Sequence, residues 1–126
     1  MKRVIAAAAL LILSFTAAFI SNCLIINKMN GISEKLRSLN EDLPLITADE
    51  LSERTEEIVG EWESCEWLVH AFISTDSVVE TERSLKMLDD LAKKGLTEEF
   101  EVYCIDAYSK VDSVCNSEKI SKENIF

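Results

Sequence analysis

Glycine, proline, histidine and positive charge are all scarce in this sequence. Three glycines and one proline among 126 residues exclude a Gly-rich phosphate loop or a dinucleotide fingerprint. Both need glycines clustered in one short turn. The same scarcity argues against an all-β fold, whose many tight turns draw on Gly, Pro and Asn. His70 is the only histidine, and a helical zinc-protease motif needs two. No Cys-x-x-Cys and no Asp-x-Asp-x-Asp-Gly occurs, so thiol exchange and an EF-hand calcium loop lack their motifs. Lys and Arg total 13 against 23 Asp and Glu, a net charge of −10. Nucleic acid requires a cationic face, so no nucleic-acid partner is expected.

What is present begins with one uncharged run. Val4 to Ile26 holds 23 residues, 19 of them apolar. As a helix at 1.5 Å per residue it spans about 34 Å, enough for a hydrocarbon core of about 30 Å. Residues 1–27 are therefore expected to be a membrane anchor that meets lipid, and 28–126 an extracytoplasmic, acidic α-helical domain. Lys2, Arg3 and the free amine form a short basic head, the usual start of an export signal. This favours a single pass at the cell membrane with the N-terminus cytoplasmic. Two other fates are readable. Thr16-Ala17-Ala18 offers small residues for cleavage after Ala18. Ile20-Ser21-Asn22-Cys23 looks like a bacterial lipobox, with Asn where a small residue is expected.

Beyond the run the periodicity is helical. Ile25, Met29, Ile32, Leu36, Leu39, Leu43 and Ile46 recur at steps of 4 and 3, one stripe on one helix face. Pro44 ends that helix, because the residue before a proline leaves the α region. Thr47 with Glu50 makes a capping box for a second helix. Its stripe is Leu51, Thr55, Ile58, Trp62, Cys65, Val69 and Phe72, running on to about Thr75. A third helix is expected after Asp76, ending in Lys93-Lys94-Gly95, cations and then a left-handed cap. Thr97 reads as the N-cap of a fourth, with Phe100, Cys104, Ala107, Tyr108, Val111, Val114 and Cys115 on its stripe. Amphipathic helices with short links must bury their stripes together. The expected fold is all-α: a transmembrane helix continuing into an antiparallel bundle of about four amphipathic helices.

The chemistry-bearing residues read mostly as structural. Ten acids lie between Glu41 and Glu66 with Arg54 as the one cation. Glu53, Glu57 and Glu61 stack at i, i+4, which reads as a solvated face; a surface for divalent cations or a basic partner is the functional alternative. His70 has Glu66 one turn before it, a pair able to ligate metal or move a proton. With no second histidine it reads as a hydrogen-bonding residue, and neither a catalytic nor a metal role is assigned. Cys65, Cys104 and Cys115 sit on apolar stripes as small core residues. The alternative is a disulfide from Cys65 to Cys104 or to Cys115, since an outward-facing domain permits oxidation. Trp67 lies off the stripe centre and is a possible partner contact. So are Ile125 and Phe126, two large apolar residues at the terminus that must dock on the bundle or on another protein.

The whole chain resembles a domain-of-unknown-function family of small, single-pass, anchored helical proteins of spore-forming Gram-positive bacteria. The resemblance rests on Met1-Lys2-Arg3 with the apolar run, on Glu61-Trp62 and Glu66-Trp67, and on His70 followed by the acidic helix from Glu80. It rests most on the closing Glu123-Asn124-Ile125-Phe126. It implies an anchored helical domain without enzyme activity or cofactor, often encoded beside multi-pass membrane proteins of the YetF type. The functional expectation is a non-catalytic accessory or scaffold subunit of a membrane or envelope protein. A small-ligand or ion sensor domain and a coiled-coil, division-type linker are the alternatives.

Overall fold

A computed structural model of the chain describes residues 1–73 and 75–125, the side chains of Phe72 and of residues 117–125 excepted. Four helices account for almost all of it: α1 (Lys2–Asp42), α2 (Ala48–Phe72), α3 (Thr75–Lys94) and α4 (Thr97–Ile125). No strand occurs among the described residues. Each helix packs on its neighbour in sequence, and α4 closes the ring against α1. The diagonal pairs, α1 with α3 and α2 with α4, hardly touch.

The direction of the helices follows from their cross-links. Lys35 on α1 meets Glu57 and Glu61 on α2, while Asp42 meets Arg54. Cys104 on α4 meets Leu36 on α1, while Cys115 meets Ile26. In both sets a rising number on α1 pairs with a falling one, so α2 and α4 run antiparallel to α1.

The joints are built by the residues the periodicity singled out. Leu43–Leu45, containing Pro44, forms a single 3₁₀ turn after α1. Thr47 is extended and its hydroxyl accepts from the Glu50 N–H at 3.2 Å, capping α2. Gly95 has φ +71°. Its N–H reaches Ala92 O at 3.2 Å, and the Leu96 N–H reaches Leu91 O at 3.1 Å. That is the paired hydrogen bonding of a Schellman cap, which Gly95 permits by entering the left-handed region without a Cβ clash.

Three boundaries differ from the sequence reading. α2 ends at Phe72, where Ile73 turns extended and bonds back to Val69 O, and Thr75 belongs instead to α3. Thr97 is already inside α4. The Phe100 N–H bonds to Leu96 O at 2.9 Å, so the residue that finishes the Schellman turn also starts the next helix. Asn116-Ser117 does not interrupt α4, which continues to Ile125.

α1 is unbroken, yet its two halves meet different surroundings. Residues 1–20 are all exposed. Ile25, Met29, Ile32, Leu36 and Leu39 are completely buried. Burying such side chains is worth about 1.5–3 kcal/mol each. The core then takes Trp62 and Val69 from α2, Val78, Leu85 and Leu88 from α3, and Phe100 and Val111 from α4.

Candidate functional site

The exposed half of α1 is the first functional feature. It is one helix long and apolar enough to cross a membrane. It enters the bundle without a linker, since the core stripe begins at Ile25, inside the uncharged run.

The acidic stretch of α2 is partly neutralised by its neighbours. Lys35 donates to Glu57 at 3.0 Å and also to Glu61. These bonds, Glu61 first, raise its pKa above the ordinary lysine value. Arg54 donates to Asp42 Oδ2 at 3.0 Å and to Ser38 Oγ at 3.3 Å. Glu53 stays exposed. The face read as solvated is thus one carboxylate row with its inner edge pinned to α1.

The outer seam of α2 and α3 gathers a different set. Glu66 Oε1 lies 3.3 Å from His70 Nε2. Glu82 of α3 joins them, so that one ligand atom from each of the three residues lies within 4.8 Å of the others. Lys86 Nζ sits 3.1 Å from Glu82 Oε1. The pairing of Glu66 with His70 was readable from i, i+4 spacing. Glu82 was not singled out, because it stands on the next helix. Trp67, on the same helix three residues before His70, is 71% exposed, whereas Trp62 is 1% exposed.

Cys65, Cys104 and Cys115 occupy the core. Cys65 and Cys104 carry free thiols. Cys65 donates to Trp62 O within its own helix. Cys104 donates to Leu36 O at 3.6 Å, and Cys115 to Asn30 Oδ1 at 3.2 Å, both on α1. Burial pushes the Cys104 thiol up to about 11 and raises that of Cys65 as well.

Among the described residues, two shallow grooves lie beside α1. One, of about 100 Å³, lies against α4 and is lined by Leu36, Arg37, Asn40, Cys104, Ile105 and Tyr108. Asn40 Oδ1 is buried without a partner. The other, of about 200 Å³, lies against α2 beside Lys35 and Arg54. Ordinary small-molecule pockets run to about 300–1,000 Å³, so neither is built for one. Apolar side chains instead stand on the outer face of α4, with Val102 66% and Ile105 58% exposed. The Ile125 side chain and Phe126 lie outside the described residues. No family model, curated protein or solved structure matches the chain.

Proposed function

We propose that the protein is a membrane-anchored, non-catalytic accessory subunit whose helical domain docks on another membrane or envelope protein. The observation that carries the reading is the unbroken helix α1. Its exposed apolar half suits the bilayer, and its buried half is a wall of the bundle core. A domain held this way keeps a fixed height and angle above the membrane. Fixed placement serves docking on a neighbour.

Two further features support it. The short basic head Lys2-Arg3 before an apolar run is how export signals begin, and on that pattern the N-terminus lies in the cytoplasm and the domain outside. Lys28, Lys35 and Arg37 beyond the run nearly balance the bare Lys/Arg count. The exposed Val102 and Ile105 of α4 supply the apolar centre that a protein contact needs. The reading agrees with the anchored, non-enzymatic character implied by the family resemblance.

Photocrosslinking in native membranes tests it. A photoreactive residue at Ile105 should give a discrete adduct with one membrane protein, while the same residue at Glu98 should not. Equal, diffuse labelling from both positions would remove the docking reading.

A further inference from the structure

Glu66, His70 and Glu82 come from two helices and meet on the α2–α3 seam, each with a ligand atom within 4.8 Å of the other two. We propose that these three side chains bind one divalent cation of the zinc, nickel and copper class.

The donor set selects that class. Calcium takes about six to eight oxygens, and magnesium prefers an octahedron of oxygen and water. An imidazole with two carboxylates suits zinc, copper or nickel instead. Zinc bonds of about 2.0–2.2 Å to N and O place neighbouring ligand atoms about 3.4 Å apart around a tetrahedral ion. The present spread of up to 4.8 Å must therefore close by at most about 1.4 Å. Small rotations of the two glutamate side chains supply that, because His70 and Glu66 are already one helical turn apart on the same face.

Charge favours the ion too. A ligating imidazole is neutral, so the three groups then carry two negative charges in one small space. Lys86 offsets one of them from Glu82 Oε1. A carboxylate has two oxygens, so Glu82 can keep Lys86 on one and offer the other to the metal. Lys86 then orients a ligand from outside the site, as second-layer partners commonly do. Side-chain exposure of 28% at Glu66, 38% at His70 and 21% at Glu82 leaves a path for entry and room for water on the open side. Three protein ligands with an open position is a familiar arrangement for a zinc-class ion.

The test is calorimetric titration of the full, tag-free chain in detergent micelles with Zn²⁺ alone. One saturable site is expected. His70→Ala and Glu82→Gln should each weaken it at least tenfold, while Glu53→Gln, away from the seam, should leave it unchanged. All three variants should keep the wild-type helical circular dichroism without metal, since the altered side chains are partly or fully exposed. Non-saturating binding, or affinity unchanged by the seam variants, overturns the proposal. So does a thiolate charge-transfer band on loading with Co²⁺, which would move the ion to the cysteines. No partner protein enters the titration, so its outcome is independent of the docking reading.

Discussion

The thiol of Cys104 on α4 donates to the carbonyl oxygen of Leu36 on α1 across 3.6 Å. Neither residue is exposed. The contact marks the antiparallel register of the first and last helices, and burial at that seam makes the thiol resist ionisation.

That resistance has a pH signature. The Cys104 thiol rises from 9.0 to about 11 through burial. Between those values the unfolded chain loses the proton and the folded chain keeps it. The protonated fold's advantage is complete below pH 9 and is lost as pH rises through 11. The slope from this group approaches about 1.4 kcal/mol per pH unit. Denaturant titrations at pH 8, 9 and 10 should show stability falling faster in the wild type than in Cys104→Ala. Parallel losses would mean the thiol ionises normally in the fold.

Two glycines should respond in opposite directions. Gly60 is inside α2, with nothing within 4 Å of an added Cβ. Gly60→Ala should stabilise by about 0.5–1 kcal/mol, since glycine loses more backbone freedom in a helix. Gly95 has equal space but φ +71°. Gly95→Ala should destabilise by about 1 kcal/mol, the cost of a left-handed alanine. Thermal melts of the two variants in the same detergent read both signs.

The tryptophans should separate in fluorescence. Trp62 is buried and Trp67 stands in solvent. In Trp62→Phe the remaining emission should be red-shifted and strongly quenched by acrylamide. In Trp67→Phe it should be blue-shifted and protected. Equal quenching of the two variants would contradict the placement of α2 in the ring.

Topology is open to protease. With the N-terminus inside, protease added to intact spheroplasts should degrade the acidic domain and leave a membrane-embedded fragment near Met1. Full protection until lysis would reverse the orientation.

Most of the architecture was legible because apolar stripes repeat at helical spacing and three punctuation residues stand between them. Pro44, Thr47 and Gly95 each act by local chemistry, and local chemistry is written in neighbouring residues. The ends of α2 and α4 were less legible. The α2 stripe carries its period on to about Thr75, but Ile73 turns extended and bonds back to Val69 O. Thr97 is a good cap in isolation, but Leu96 takes the boundary position by accepting from the Phe100 N–H. The seam was half legible. Glu66 and His70 are linked by spacing, whereas Glu82 is brought to them by the packing of α3 on α2, which no short-range pattern encodes. Lys35 is a similar case, since its two carboxylates lie 22 and 26 residues away.

The unbroken course of α1 ties the bearing of the bundle to the bearing of the helix's exposed apolar half. Each residue of an α-helix advances the face by about 100° and the height by about 1.5 Å. With no joint between Lys2 and Asp42, whichever side of that apolar half a neighbour grips decides which side of the bundle it meets. Adding one residue near Ile20 would swing Ile105 of α4 and the Glu66–His70 seam by about 100° while leaving every contact within the bundle intact. The compass heading of the domain is therefore a property that can be altered without touching its fold.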